Sequence, residues 1–284
     1  MSGTLYLVGT PIGNLEDLTL RAKRVLGEVD LVAAEDTRRT VHLLSHLGIS
    51  KPIVSYHEHN SRSAGDRLLT ALQQGRAVAL VSDAGMPVVS DPGSDLVRRA
   101  AAQGIAVTVV PGPCAASSAL ALSGMDGARY TFEGFLPREG KSRRLALQAL
   151  KGEPRPLVFY EAPHRLRRTL QDLLDTLGDR EAALCNDITK FYERVDRGSL
   201  SALLALTAEK EPRGEYALVV GPPDAQTEEK AAPAASADPV QRALELMAGG
   251  VSRTEAAKQA AKELGSTRNA VYQALLQRQG EEGL

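Results

Sequence analysis

Side chains able to do chemistry gather in four short segments, each of which follows a short apolar run. The richest is Val81-Ser-Asp-Ala-Gly-Met-Pro-Val-Val-Ser-Asp-Pro-Gly93, where two Ser-Asp pairs bracket a glycine–proline turn. Such a turn exposes fixed backbone carbonyls and carboxylates in one small concavity. That acceptor-rich surface suits a sulfonium cofactor with an amino-acid tail and a ribose. The segment holds no basic residue to cradle phosphates, which counts against a nucleoside triphosphate. A second segment, Glu35-Asp-Thr-Arg38, sets two acids and an arginine at a strand-to-helix junction. Asp36 or Thr37 can cap that helix with Arg38 solvated, while Glu35 and Arg38 together suit a cleft. A third, Tyr56-His-Glu-His-Asn60, directs both histidine rings to one side of an extended segment. No motif places a third protein ligand, so a metal is not expected. Hydrogen bonding to a polar substrate, or capping the helix that starts near Ser61, fits better. The fourth, Gly9-Thr-Pro-Ile-Gly-Asn-Leu-Glu-Asp17, lets backbone approach a ligand closely. It is neither GxGxxG nor a P-loop.

The elements that must position these segments alternate in type. Leu5–Val8, Leu31–Ala34, Ile53–Tyr56, Ala77–Ser82 and Ala106–Val110 are strand-like. Between them run the amphipathic stretches Leu18–Leu26, Thr37–Leu47, Ser61–Gln73 and Gly93–Gln103, with Gly27, Gly48, Gly75 and Gly104 as helix stops. This pattern predicts βαβ units and a parallel sheet covered on both faces. Ligands of such sheets bind outside the carboxyl ends of the strands, where the four segments fall. Val110-Pro-Gly-Pro-Cys114 marks a domain change. A second set of strands is expected near Arg129–Phe135, Pro156–Tyr160, Glu181–Asp187, Phe191–Val195 and Glu215–Val220. The domains expected are therefore 1–112 and 113–222, both α/β, then a linker over 223–239 rich in Ala, Pro and Glu, and a helical tail over 240–284. In the tail, Ser252-Arg-Thr-Glu255 reads as a capping box, Gly265 as a stop and Ser266 as the next cap, an arrangement that resembles a helix-turn-helix.

Composition narrows the class. The 284 residues carry a net charge of −1, so the basic footprint usual for a nucleic-acid binder is missing and any phosphate contact must come from a local face. The two cysteines, Cys114 and Cys185, exclude a disulfide scaffold and a zinc ribbon. No apolar run reaches membrane-spanning length, and the start lacks the features of a secretory signal. A cytoplasmic location is expected.

In chain order these segments resemble the tetrapyrrole-methylase superfamily, and within it the branch acting on the ribosomal small subunit. The carriers are LYLVGTPIGNLEDLT, AAEDTR, SYHEHN, LVSDAGMPVVSDPG, VTVVPGPCA, FEGFLP, FYEAPHRL, DITKFYE and GEYALVV, from residue 5 to residue 220. The resemblance implies two αβα domains with S-adenosylmethionine in the cleft between them, and a homodimer. It implies a cofactor pocket lined by Pro11, Asp83, Gly85, Ser90, Asp91, Cys114 and Ala115, closed over the adenosine end by Leu136, Tyr160 and Ala217. The reaction it implies is methylation of a cytidine 2′-oxygen in 16S ribosomal RNA, on the assembled 30S subunit. Porphyrinoid-acting members carry a GDP-type turn where this chain has the longer SDAGMPVVSDPG, which favours RNA. DITK stands where the family usually reads Leu-Thr-Lys, and Arg213 stands for a commoner lysine, so the role of Arg213 stays open.

Methyl transfer is an in-line displacement at carbon. Holding the reactants in line supplies on the order of 7–11 kcal/mol of the barrier. A ribose hydroxyl is a poor nucleophile, and a positioned base adds roughly 10²–10⁴-fold. Candidate bases are Glu35, His57, Glu58 and Lys190, the lysine only if burial or nearby cations lower its pKa from about 10.4. For the RNA, Arg38, Arg138, Lys141, Arg143, Arg144 and Arg165 form the candidate basic face, extended by Arg167, Arg168, Lys190 and Arg194. Tryptophan is absent and aromatic residues are few, so recognition by shape and phosphates fits better than stacking on a free strand. Two other functions compete. One is a methyltransferase of the same fold acting on a tetrapyrrole or a protein. The other is a non-catalytic RNA-binding assembly factor with the tail as its binding module, which leaves the acceptor-rich loops unexplained.

Overall fold

The computed structural model describes residues 2–209, 211–223 and 238–281, in two units divided at Pro223. The first unit holds two five-stranded sheets. In the first, β1 (Thr4–Val8), β2 (Leu31–Ala34), β3 (Ile53–Ser55), β4 (Val78–Val81) and β5 (Ala106–Val110) lie parallel in the order β3-β2-β4-β1-β5. Every residue of β2 and β4 is buried, because helices cover both faces, and this is why LVAA and VALV read as unbroken apolar runs. Alternate residues serve opposite faces. Leu31, Ala33, Val78 and Leu80 pack with α3 (Ser61–Gln73) and α4 (Ser94–Ala102). Val32, Ala34, Ala79 and Val81 pack with α1 (Leu20–Glu28) and α2 (Thr37–His46). The chains leaving the neighbouring strands β1 and β4 therefore enter helices on opposite faces, and a crevice opens where they part.

The second sheet is mixed. It runs β6-β7-β10-β8-β9, from β6 (Thr131–Phe135), β7 (Leu157–Glu161), β8 (Glu181–Asn186), β9 (Arg194–Ser199) and β10 (Tyr216–Val220). Only β6 and β7 pair in parallel. Small residues of α5 (Ala115–Ser123) cover one face, with Ala116 and Ala119 against Val158, Ala183 and Ala217. Leucines of α6 (Gly140–Ala149), α7 (Pro163–Leu177) and α8 (Leu200–Glu209) cover the other, with Leu147, Leu166, Leu170 and Leu203 against Phe159 and Leu218. An α/β fold with one parallel and one mixed sheet, followed by C-terminal helices, is what the sequence led us to expect.

The second unit contains α9 (Pro239–Ala248), α10 (Arg253–Glu263) and α11 (Arg268–Glu281) around an alanine-rich core of Ala243, Ala256, Ala257, Ala260, Val271 and Leu275. Of the linker expected over 223–239, residues 224–237 lie outside the described residues, and its end differs: Asp238 caps α9 and Pro239 opens it. Among the described residues no helix is long and apolar enough to cross a membrane.

Several local expectations are corrected. Gly27 lies inside α1 and does not end it. The strand expected near Phe191–Val195 starts only at Arg194, as β9, and Phe191 and Tyr192 stand in solvent before it. Ser252 occupies the N-cap of α10, but its side chain makes no capping bond, so the box is not closed. Thr267, not Ser266, caps α11, accepting from the Ala270 amide at 3.3 Å.

Candidate active site

The crevice begins as backbone. Past β1 and β4 the chains exchange two bonds, Thr10 N to Gly85 O at 2.9 Å and Gly85 N to Thr10 O at 3.0 Å. A Cβ on Gly9 would sit 2.7 Å from Gly112 Cα, so the loops after β1 and β5 touch backbone to backbone. The Gly112 amide donates to Met86 Sδ at 3.3 Å, which brings in the loop after β4. That loop is strained. Val88 (φ 75°) and Ser90 (φ 62°) lie in the left-handed region, where a β-branched residue is held only by its surroundings. The hold comes partly from the second sheet, since a Cβ on Gly134 of β6 would stand 2.7 Å from Ser90 Oγ.

These loops and the facing edge of the second sheet enclose a cavity of about 460 Å³, within the usual range for a small-molecule site. Glu35, Asp83, Gly85, Ser90, Asp91, Cys114, Ala115, Tyr160 and Ala217 line it. Its wall is apolar at Ile12, Met86, Val89 and Phe135, and acidic at Glu35, Asp83 and Asp91. Burial, then the charge of Asp83, raises the Glu35 pKa, against the opposing effect of His57 and Arg39. Burial, then the charge of Glu35, lifts Asp91 to about 6. The Tyr160 phenol is pushed above its ordinary range by burial, then by Cys114, and its oxygen accepts from the Ala116 amide at 3.0 Å. Asp83 Oδ1 accepts from the Asp36 amide at 2.9 Å, and its other oxygen is 3.7 Å from Arg39 Nε.

Other expected residues lie elsewhere. Pro11 is beside the cavity in sequence, but Ile12 is the lining residue. Leu136 is buried in the leucine core of the second sheet. Asp36 is the N-cap of α2, and the hydrogen bond from the Arg38 side chain holds its pKa down at about 2. Arg38 is thereby turned to solvent, its side chain 87% exposed, and Arg39 lines the cavity in its place. His57 lies close enough to Glu35 to influence its ionisation; its Nδ1 is buried with no hydrogen-bond partner among the described residues. Glu58 is exposed and outside the lining.

Lys190 is corrected as a base. Burial works to lower its pKa, but Asp187 Oδ1 at 2.8 Å and Glu215 Oε2 at 2.9 Å prevail and hold it above the ordinary lysine value. Arg143 is corrected as part of an exposed face. It is 3% exposed, and its guanidinium donates to Asp172, Thr169 and the Pro137 carbonyl. Arg165 is largely withdrawn too, bonded to Glu161 and to Leu136 O at 2.7 Å. Arg138, Lys141 and Arg144 remain exposed, and no ion pair engages them among the described residues. Sequence reasoning missed Arg39, Phe135, Ile188, Glu215 and Tyr216 in the lining. The neighbouring motifs EDTR, FEGFLP, DITK and GEYALVV were the signal available for them.

A crevice at the switch point of a parallel sheet, capped by a mixed sheet and walled by carboxylates, suits a small organic cation, as a methylase of this α/β class requires. The sequence matches the family of tetrapyrrole (corrin/porphyrin) methylases over residues 4–204, and the chain belongs to that family. It is a methyltransferase, and its methyl donor is S-adenosylmethionine. It is 47% identical over 270 residues to the ribosomal RNA small subunit methyltransferase I of Halalkalibacterium halodurans, covering 95% of this chain and 93% of that one. With the protein of the same name from Thermotoga maritima it shares 50% over 218 residues, 77% of this chain and 98% of that one. Among solved structures it is similar to the uroporphyrin-III-C-methyltransferase of Thermus thermophilus, with a TM-score of 0.54 at 26% identity over 77% of this chain and 94% of that one.

The residues present fit this donor. Gly85 (φ 84°) adopts a backbone conformation favouring glycine, and a Cβ there would meet Ile12 Cγ2 at 3.2 Å. Carboxylates suit a sulfonium and an ammonium, and the apolar wall suits an adenine.

Proposed function

We propose that this chain methylates the 2′-hydroxyl of a cytidine ribose in 16S ribosomal RNA, with the assembled 30S subunit as its substrate. It works in the cytoplasm as a homodimer. The names of its relatives supply the substrate class. The observation that carries the chemistry is the acidic, half-apolar cavity at the meeting of the two sheets, with Glu35, Asp83 and Asp91 on one wall. A polyphosphate would be repelled by that wall. The two methylase domains divide near residues 112 and 113, and the helical tail over 240–284 is an accessory module.

S-adenosylmethionine supplies a methyl group on a cationic sulfur, an electrophile that needs only an in-line nucleophile. Asp83, Gly85, Ser90, Asp91, Cys114, Ala115, Tyr160 and Ala217 hold it, with Pro11 and Leu136 fixing the loops behind them. The carboxylates of the wall would hold the sulfonium and the ammonium of the donor by charge. Glu35 takes the hydroxyl proton. Its raised pKa makes it a stronger base than a solvated carboxylate, and it lines the cavity whereas Glu58 does not. His57 lies near enough to bear on the ionisation of Glu35, and its effect favours the carboxylate over the acid. Arg138, Lys141 and Arg144 bear on RNA phosphates.

The test uses methyl-labelled donor with 30S particles from a strain lacking the gene, naked 16S RNA and uroporphyrinogen. Label should enter the particles at one cytidine 2′-oxygen. Label in the porphyrinoid alone, or at a base carbon or nitrogen, sinks the proposal.

A further inference from the structure

Phe191 and Tyr192 are the most exposed aromatic residues of the described chain, 91% and 79% accessible, where no other phenylalanine or tyrosine exceeds 54%. Their rings meet edge to face, with centroids 4.9 Å apart at 89°. Leaving two large rings in water costs hydrophobic free energy, and such exposure commonly marks a contact surface. The loop that carries them is not slack. Asp187 (φ 49°) and Thr189 (φ 69°) are held in the left-handed region. Bonds from Asp187 N to Glu215 O, from Lys190 N to Asp187 O (both 2.9 Å) and from Thr189 N to Glu193 Oε2 (2.6 Å) offset that strain. Lys190 ties Asp187 to Glu215. The loop also wedges against the first sheet's side of the crevice: a Cβ on Gly13 would lie 2.6 Å from Lys190 Cγ and 2.9 Å from Ile188 O.

The loop that carries the platform also reaches the cavity. Ile188 of the same loop lines it, as do Glu215, to which the loop is bonded, and its neighbour Tyr216. A strained, tightly bonded loop presenting bare rings beside a reaction cavity is built to hold a flat partner. The acceptor is one nucleotide of a folded RNA, and bringing its 2′-oxygen from the groove into a cavity between two sheets draws that nucleotide out of its stack. A displaced base needs a new stacking partner, and aromatic faces supply it without reading sequence.

We propose that Phe191 and Tyr192 form a stacking platform for an unstacked nucleobase at or next to the methylated nucleotide. The proposal rests on an RNA acceptor for this site.

The test compares wild type with the double variant Phe191→Ala/Tyr192→Ala and with Tyr192→Phe, which keeps the ring. Three quantities are read: affinity for S-adenosylmethionine by calorimetry, half-saturating concentration of unmethylated 30S particles in methyl transfer, and mass in solution by light scattering. The double alanine variant should raise the half-saturating concentration about tenfold or more, given the usual strength of base–aromatic stacking. Cofactor affinity and mass should not change, and Tyr192→Phe should stay within about twofold of wild type. Unchanged saturation by particles with an active wild type overturns the platform and leaves the RNA acceptor standing. A change of mass in the double variant also overturns it, because the rings then join copies of the chain. Failure of the wild type to methylate any RNA overturns both.

Discussion

Asp91 and Glu35 both line the cavity, and the charge of Glu35 makes Asp91 harder to ionise. An unfolded aspartate ionises near 3.9, so between there and about pH 6 the folded, ligand-free chain holds a proton that the unfolded chain has lost. Its stability therefore falls as pH rises through that window. Asp91→Asn should raise the melting temperature at pH 8 and leave it nearly unchanged at pH 4; equal effects at both would mean Asp91 is not strained as a carboxylate. A bound cation favours the ionised form, so wild-type affinity for S-adenosylmethionine should weaken below pH 6, by less than about tenfold per unit. Glu35→Gln should lower the methyl-transfer rate by roughly 10²–10⁴-fold at nearly constant cofactor affinity. A rate within tenfold of wild type would remove Glu35 as the base. Asp83 has two tasks, because the oxygen that faces the start of α2 is bonded to the Asp36 amide. Asp83→Ala should cost about 1 kcal/mol of stability as well as cofactor affinity, whereas Asp83→Asn keeps an acceptor and should lose affinity alone. The acidic members of the site were legible because the motif concentrates them beside a strand end. The choice of Arg39 over Arg38 was not. Successive helical residues differ by about 100° in direction, so the choice turns on the residue at which α2 starts.

At the scale of elements, alternation of apolar runs with amphipathic stretches located all five strands of the parallel sheet; burial on both faces gives β2 and β4 an unmistakable pattern, while the more exposed edge strands β3 and β5 were placed by the helices around them. The half-exposed β9 left a weaker one: its RVDRGS has little apolar character, and the aromatic pair before it drew the expected strand upstream. Gly27 misled in a different way. Glycine is common after helices, but here the helix continues to Glu28 and the nearest atom to a Cβ would be Ile49 Cδ1 at 4.0 Å. Gly27→Ala should therefore stabilise the protein by about 0.5–1 kcal/mol, read as a higher denaturation midpoint. Gly13 is its opposite. Gly13→Ala would drive a methyl group against the Ile188 carbonyl and push the loop after β1 off the loop after β8. About 1–3 kcal/mol of lost stability is expected, together with weaker particle binding if the loop carries the stacking platform. A Gly13→Ala protein as stable as wild type would mean the two loops are not locked.

For the molecule as a whole, a net charge of −1 must be reconciled with a polyanionic substrate. Counting arginines in sequence overstated the basic face, because ion pairing depends on neighbours that only the fold supplies. Arg143 is locked inside, Arg165 bonds Glu161 and Leu136, and Arg167 reaches Glu211 and the Thr207 carbonyl. What remains is a compact group, Arg138, Lys141 and Arg144, at the start of α6. Each phosphate contact contributes about 0.7 to 0.9 to the slope of log affinity against log salt. Replacing all three by alanine should therefore flatten the slope for particle binding by about 2, while the melting temperature and cofactor affinity hold. Arg143→Ala should do the reverse, costing about 3 kcal/mol of stability through its lost bonds to Asp172, Thr169 and the Pro137 carbonyl and leaving the salt slope of the surviving folded protein intact. If instead the triple variant leaves an already shallow slope unchanged, these three residues do not face the RNA. A chain this close to neutral would then be gripping its substrate by shape and stacking, with little help from charge.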